Sequence, residues 1–124
     1  MKHPERIGLT GRLLVGVLLA TSLAGGTVAC GETKPEPEVL EIVVPAGTAE
    51  RLARGEEVRV MPSVLRFRVG DTLRIRNEDS VPQSVGPYQV MAGGEFSLTY
   101  GAPGRFEGIC PLSEGDTYEI IVTE

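Results

Sequence analysis

The side chains best suited to metal or nucleophilic chemistry in this 124-residue chain are two cysteines, Cys30 and Cys110, and a single histidine, His3. A cysteine nucleophile normally needs a neighbouring base that lowers its pKa, and a serine nucleophile needs an imidazole that takes its proton. His3 lies in an N-terminal segment that is typical of an export signal, so the exported chain is predicted to have no imidazole. The sequence therefore indicates a protein that is not an enzyme.

The charge and the remaining polar residues exclude further classes of function. The 12 Lys and Arg residues against 17 Asp and Glu residues give a formal charge of −5, whereas a nucleic-acid-binding protein needs a basic surface. Two cysteines and one histidine are too few for a zinc finger or a disulfide-dense scaffold. Glu114 and Asp116 follow Cys110 and are candidates for weak cation binding, although a solvated loop explains them more simply.

Residues 1–29 have the three-part pattern of a secretory signal. A basic start with Lys2, Arg6 and Arg12 precedes a 17-residue uncharged run, 13–29, that ends in small residues. A run of this length that contains three glycines is marginal for crossing a hydrocarbon layer of about 30 Å. The pattern predicts an exported protein, with an uncleaved anchor helix as the alternative.

The run ends in Thr27-Val28-Ala29-Cys30, which resembles the signal of bacterial lipoproteins. The resemblance implies that Cys30 is lipidated and becomes the mature N-terminus. It places the protein on the outer face of the bacterial cytoplasmic membrane or in the periplasm. Ordinary cleavage after Ala29 would instead leave Cys30 free for a disulfide with Cys110, which an exported compartment permits. Residues 30–38 are rich in Pro and Glu and are predicted to form a semi-extended tether.

Residues 39–124 are predicted to fold as one all-β domain. Short runs of alternating apolar and polar residues are separated by Gly, Pro or Asn, which is typical of a sandwich or barrel. The only helical candidate, 48–54, is too short to be stable alone. The predicted strands are 39–44, 58–61, 65–69, 73–76, 95–100, 105–110 and 117–122.

Alternation within these strands separates the apolar core residues from the charged surface residues. Arg66, Arg68, Arg74 and Arg76 face away from the core and form either an ordinary solvated face or a basic stripe for a partner. The predicted core consists of Leu65, Phe67, Val69, Leu73, Ile75, Phe96, Leu98, Phe106, Ile120 and Val122.

The second half of the chain carries an ordered set of turns and strand ends. The run 65–69 leads into Gly70-Asp71, the next strand ends at Asn77, and Gln83 follows. Pro103-Gly104 later leads into a strand that ends at Cys110. This order resembles the cupredoxins, the plastocyanin-like blue copper proteins, over about residues 39–122. The resemblance implies a small Greek-key β-sandwich with a metal site at one end.

A blue copper centre needs two imidazoles and one thiolate in a plane, with a weak axial ligand. By the resemblance, the family's first histidine falls on Gln83, its cysteine on Cys110 and its second histidine on Ser113. No methionine occupies the axial position near 115–117. Both imidazole positions are therefore substituted, and the sequence predicts a degenerate copper site with no resident cofactor.

Three functions remain open at this point. The first is a binding or accessory module of the cell envelope, in which Cys110 is a small buried apolar residue. The second is copper-binding electron transfer at a non-standard site that joins Cys110 to Gln83 or to a methionine, Met61 or Met91. Each methionine also fits a core position. The third is an immunoglobulin-like adhesion domain with a different strand order.

The end of the sandwich beside the former metal position is the predicted partner surface, because cupredoxins dock their partners there. It combines residues of the loop 79–88 with residues that follow Cys110, and we call it the loop-end surface. Its predicted members are Val81, Pro82, Pro87, Tyr88, Pro111 and Leu112.

Overall fold

A computed structural model describes residues 25–26 and 31–124 of the chain. The predicted signal, apart from two glycines, and the lipidation site Cys30 lie outside the described residues. Within the described part, no helix is long and apolar enough to cross a membrane. Residues 31–38, most of the predicted tether, have no regular secondary structure and are exposed. Residues from Lys34 to Glu124 form one compact unit.

This unit consists almost entirely of strands, as the alternating sequence predicts. Among residues 31–124 there are eight strands, one six-residue helix and a short 3-10 helix at Glu114–Asp116. The helix α1 is Thr48–Ala53, close to the predicted bounds. The strands are β1 (Val39–Val44), β2 (Val64–Arg68), β3 (Thr72–Asn77), β4 (Gln83–Val85), β5 (Tyr88–Val90), β6 (Glu95–Thr99), β7 (Gly104–Ile109) and β8 (Thr117–Thr123).

Two three-stranded sheets contribute to one core and form a β-sandwich. The first sheet has the order β1-β3-β6, the second has the order β2-β8-β7, and a separate hairpin joins β4 to β5. β1 with β3 and β2 with β8 are parallel pairs, whereas the other pairs are antiparallel. Strands β1, β2 and β3 alternate between the sheets, so the chain crosses over the core twice between β1 and β3. The predicted fold class is confirmed.

The turn between β2 and β3 shows how the sequence connects a strand of one sheet to a strand of the other. Gly70 turns the chain with a φ of 102°, which glycine adopts without steric cost. The buried Asp71 carboxylate accepts N–H bonds from Glu38 at 2.8 Å and from Arg68 at 2.7 Å. These two hydrogen bonds outweigh burial and lower the pKa of Asp71. The turn therefore stays fixed, and it directs alternate side chains of both strands into the core.

The arginines of β2 and β3 lie on the side away from the core, as alternation predicts. Neighbouring carboxylates pair with three of the four: Arg68 lies 3.3 Å from Glu38, Arg74 lies 3.4 Å from Glu95, and Arg76 lies 3.4 Å from Glu41. The face therefore carries mixed charge, which favours a solvated surface over a basic stripe.

The predicted core is confirmed at most positions and wrong at Phe106. Six of its members are buried, and Val69, Phe96 and Leu98 pack partly against them. Phe106 is 44% exposed, because β7 is an edge strand whose outer side is covered by no other strand of the described part. The six buried members are Leu65, Phe67, Leu73, Ile75, Ile120 and Val122.

Two local predictions are also wrong. Residues 58–61 do not form a strand, and among them only Met61 makes a bridge, to Ser113. The sequence predicts that the stretch containing β4 and β5 is largely loop, but these two strands form a hairpin. Each strand has only three residues, too few to show a clear alternation in the sequence. Its Val85 and Val90 are buried and join the core.

Candidate functional site

Cys110 follows directly after the end of β7, and only 1% of it is exposed. Its sulfur accepts the N–H of Gly86 at 3.3 Å, and its thiol faces the Ser84 carbonyl oxygen at 3.9 Å. These contacts hold the thiol against the backbone of the β4–β5 hairpin. They agree with the interpretation of Cys110 as a small buried residue. Cys30, its partner in the alternative disulfide prediction, lies outside the described residues.

Ser113 is fully buried and closes the loop that follows Cys110. Its hydroxyl is 2.9 Å from the Cys110 carbonyl oxygen and also bonds the carbonyl of Thr117. Its own N–H donates to the Cys110 carbonyl at 3.0 Å, and the Cys110 N–H donates to the backbone carbonyl of Asp116 at 2.9 Å. Ser113, which the sequence resemblance maps to the second imidazole position, is thus engaged in holding its own loop.

Arg59 holds the same loop from outside. One guanidinium nitrogen lies 3.2 Å from the Pro111 carbonyl oxygen, 2.7 Å from the Ser113 carbonyl oxygen and 2.7 Å from the Asp116 carboxylate. The hydrogen bond to Asp116 raises the pKa of Arg59. Asp116 is therefore engaged in an ion pair, which argues against weak cation binding by Glu114 and Asp116. Sequence reasoning missed Arg59 because its partners lie more than 50 residues along the chain.

Gln83, which the sequence resemblance maps to the first imidazole position, belongs to a network around Asp79. The Asp79 carboxylate is 3% exposed and accepts hydrogen bonds from the Gln83 side chain at 2.7 Å and from the Ala49 N–H at 2.8 Å. It also accepts the N–H groups of Gly47 and Ser80. Asp79 therefore caps the start of α1 from a distant loop. The network directs the amide group of Gln83 to the carboxylate.

Acidification is expected to destabilise the domain through Asp79. Burial alone would raise the pKa of this carboxyl, but its four hydrogen bonds outweigh burial and lower the pKa. Because the folded-state pKa is depressed, the stabilisation is fully present above the unfolded value of about 3.9 and is lost as the pH falls through the folded-state value. As the pH is lowered below about 4, the melting temperature of the wild type should therefore decrease. The decrease per pH unit should be smaller in Asp79→Asn. Equal slopes in the two proteins would contradict the assignment.

Asn77 organises the segment between β3 and β6. Its amide nitrogen donates to the carbonyl oxygens of Val81 at 2.9 Å, Val90 at 3.1 Å and Met91 at 3.1 Å, and its oxygen accepts the Asp79 N–H at 3.0 Å. Asn77 is 1% exposed, and its bonds to Val90 and Asp79 are buried inside the protein. The side chain thus brings both ends of the β4–β5 hairpin to the end of β3.

The two methionines considered as soft ligands lie in opposite environments. Met61 is 4% exposed and belongs to the hydrophobic core. Met91 is 65% exposed, although its backbone is held by Asn77. Met61 therefore has the role of a core residue, and Met91 presents a thioether to solvent.

The residues at the mapped copper position do not match the donors of a blue copper centre. The thiol of Cys110 is buried against backbone, the Gln83 amide binds Asp79, and the Ser113 hydroxyl binds two carbonyl oxygens. Among the described residues, no group of three or more His, Cys, Asp and Glu side chains could hold a metal ion. Two imidazole donors are absent from residues 31–124, because the single histidine of the chain is His3.

Most of the residues predicted to form the loop-end surface are exposed. Val81, Pro82, Pro87 and Pro111 are exposed, and Tyr88 is half-buried. The Tyr88 ring stacks on Phe96 with centroids 4.6 Å apart. Leu112 is 2% exposed, so its assignment to this surface is wrong. It turns into the core because its carbonyl accepts the Val60 N–H and the loop closes behind it.

Comparison with known proteins gives matches only among solved structures. No family model matches the chain, and no curated protein matches it. A novel purple cupredoxin from Nitrosopumilus maritimus is 22% identical with a TM-score of 0.40, over 67% of this chain and 98% of that one. A mutant of amicyanin in the Cu(I) form is 14% identical with a TM-score of 0.41, over 68% and 81% of the chains.

A third match is part of a larger protein. The Cu-containing nitrite reductase NirK from Thermus scotoductus SA-01 is 19% identical with a TM-score of 0.41, over 73% of this chain and 23% of that one. At these identities the likeness concerns the fold alone. The immunoglobulin-like interpretation does not fit the topology, because β1 with β3 and β2 with β8 are parallel pairs whereas an immunoglobulin domain consists of antiparallel sheets.

Proposed function

We propose that this cupredoxin-like domain is a metal-free binding module, exported and lipid-anchored through Cys30, that serves as an accessory of the bacterial cell envelope. One observation carries the proposal. The polar groups at both substituted imidazole positions are engaged inside the protein, Gln83 by Asp79 and Ser113 by the carbonyl oxygens of its own loop.

The loop around Cys110 has structural supports that need no metal. Ser113 bonds the loop from within, and Arg59 bridges three acceptors of the same loop from outside. A metal centre would have to displace at least one of these contacts, and a buried polar group left without a partner costs about 1–3 kcal/mol. The side chains therefore stabilise the metal-free arrangement.

The loop-end surface is the proposed contact with a partner protein. It presents Val81, Pro82, Pro87 and Pro111 in the exposed part of the loops, with Met91 65% exposed close by. The Asn77 amide nitrogen donates to the carbonyl oxygens of both Val81 and Met91, so it holds the backbones of these two residues close together. Apolar side chains on a rigid backbone suit binding because little conformational entropy is lost.

The predicted tether fits a module that works at a membrane surface. It runs from Cys30 to Glu38, and a Pro-rich segment of this length spans up to about 28 Å. At its end, Glu38 bonds the buried Asp71 and pairs with Arg68. The spacer is therefore attached firmly to the domain at one end and, in this proposal, to the lipid at the other.

The metal content of the full chain tests this function. Protein isolated from its own cell envelope should contain no stoichiometric copper, and added copper should give no thiolate-to-copper absorption band. Cys30→Ser serves as the matched control, because it removes the other cysteine sulfur of the chain and leaves Cys110 in place. One copper atom per chain, with an absorption band that persists in Cys30→Ser and is lost in Cys110→Ala, would overturn the proposal.

The second candidate function is copper-binding electron transfer at Cys110. Its support is the similarity to amicyanin in the Cu(I) form and to the Cu-containing nitrite reductase, and the solvent-exposed thioether of Met91, a ligand type that Cu(I) favours. In this case the copper band should be lost in Met91→Leu or Gln83→Leu as well as in Cys110→Ala. Met61→Leu is the control, because Met61 is a core residue.

A further inference from the structure

The outer edge of β7 is a large feature of the fold that the proposed function does not use. β7 stands at the end of the sheet order β2-β8-β7 and pairs with β8 alone. Within the described part of the chain, no backbone hydrogen bond joins residues 104–109 to a strand other than β8. An edge with unpaired N–H and C=O groups is a template to which another strand adds.

The same edge exposes large apolar side chains. Phe106 is 44% exposed and Ile109 is 80% exposed. Phe106 lies opposite Ile120, which is 1% exposed, and directly opposed residues share one face of a sheet. The Phe106 ring is therefore on the core-facing side, at the open margin of the sandwich. A further strand on this edge would cover it.

The sequence of β7 is complementary to itself in the antiparallel direction. Residues 104–108 are Gly-Arg-Phe-Glu-Gly. In an antiparallel pair of copies centred on Phe106, Arg105 lies opposite Glu107 of the second copy, and the two Phe106 rings lie opposite each other. The same register places Ile109 opposite Pro103. Opposite charges and aromatic pairs at directly opposed positions stabilise antiparallel strands.

A like-charge contact within one copy supports this register. Glu107 lies directly opposite Glu119 in the β7–β8 pair, an arrangement that is unfavourable by itself. Arg105 serves both carboxylates, at 3.7 Å from Glu107 and 3.1 Å from Glu119. In the proposed pair, each Glu107 gains the Arg105 of the second copy on its open side. Each repelling pair of carboxylates then has two guanidinium groups beside it.

We propose that two copies of this chain form a symmetric dimer in which their β7 strands pair antiparallel about Phe106. The pairing extends the two three-stranded sheets into one continuous sheet with the order β2-β8-β7-β7-β8-β2. Such an interface is isologous, so every contact occurs twice. The proposal is independent of the proposed function, because the β7 edge and the loop-end surface are built from different residues.

Charge reversal on β7 tests the dimer. Sedimentation equilibrium of the full chain, in micelles of a density-matched detergent, gives the association constant. Arg105→Glu makes the strand wholly acidic and Glu107→Arg makes it wholly basic, so each variant should self-associate at least about tenfold more weakly. The double variant, Arg105→Glu with Glu107→Arg, restores both cross-strand pairs and should recover the wild-type constant. Arg66→Glu, an exposed arginine on β2, is the control.

Mixing the two single variants gives a second measurement that does not depend on their individual stability. An all-acidic and an all-basic β7 complement each other, so the mixture should associate where neither variant does alone. A wild-type chain that stays monomeric up to about 1 mM, the weak end of specific association, would overturn the proposal. Association that is equal in the wild type and both single variants would overturn it too, because another surface would then be responsible. If the β7 edge instead binds a strand of a different protein, the wild-type chain should stay monomeric up to about 1 mM.

Discussion

Asn77→Ala is expected to lower the free energy of unfolding by about 4 kcal/mol, one of the two largest effects in the domain. The substitution removes one amide that serves the carbonyl oxygens of Val81, Val90 and Met91 and the N–H of Asp79. The bonds of Asn77 to Val90 and Asp79 are buried, so water cannot reach these two groups without local opening. Each buried group that loses its partner costs about 1–3 kcal/mol, and relaxation recovers part of the total.

Urea unfolding of the wild type and the variant measures this loss, provided that both transitions are two-state. Gln89→Ala is the control, because Gln89 is also an amide beside the same loop but is exposed in β5. It should change the stability by less than about 0.5 kcal/mol. A loss in Asn77→Ala as small as that of the control would show that the segment between β3 and β6 is held by other contacts.

Placing imidazoles at both mapped positions, with Gln83→His and Ser113→His in one chain, is expected to create a copper site. Together with Cys110 these residues supply the two nitrogens and one sulfur of a blue copper centre. The change has a cost, because Ser113 is fully buried and its hydroxyl serves two carbonyl oxygens. The metal-free variant should therefore be less stable than the wild type by about 3 kcal/mol.

Copper should then recover stability in this double variant, because a ligand that binds only the folded state raises the melting temperature with its concentration. The same variant with Cys110→Ser is the control and should show neither the absorption band nor the recovery. If the double variant binds copper no better than the wild type, the mapping of the first imidazole to Gln83 is wrong. Val85→His is then the substitution to make, since Ser84 and Gly86 on either side of Val85 contact the sulfur.

Strands with a long alternation of apolar and polar residues could be predicted from the sequence, whereas short strands that depend on pairing with an adjacent strand could not. The runs that contain Leu65 and Ile75 alternate over four residues or more and became β2 and β3 close to the predicted bounds. The β4–β5 hairpin has three residues in each strand, which is too short for alternation to be distinguished from loop. Residues 58–61 alternate but found no partner strand, and Met61 makes only an isolated bridge.

The candidate site was predictable in its composition but not in its contacts. The absence of an imidazole from the domain follows from counting, and the position of Cys110 at a strand end follows from the turn that precedes β7. The exposure of Phe106 could not be predicted from the sequence, because an aromatic residue in an alternating strand has the same sequence pattern at the centre of a sheet and at its edge. Only the sheet order shows that β7 has a free side.

Composition and alternation alone predicted an all-β domain of acidic charge behind an export-type segment, and counting shows that residues 31–124 contain no histidine. These properties depend on residue type and on near neighbours in the chain. The network of Asp79 with Ala49 and the contact of Arg59 with Asp116 join residues 30 and 57 positions apart. Hydrogen bonds over such separations leave no local pattern, because the chain between the partners sets no distance until both sheets have packed. The folded structure therefore decided that Gln83 and Ser113, the residues mapped to the imidazole positions, make contacts that hold the loops together.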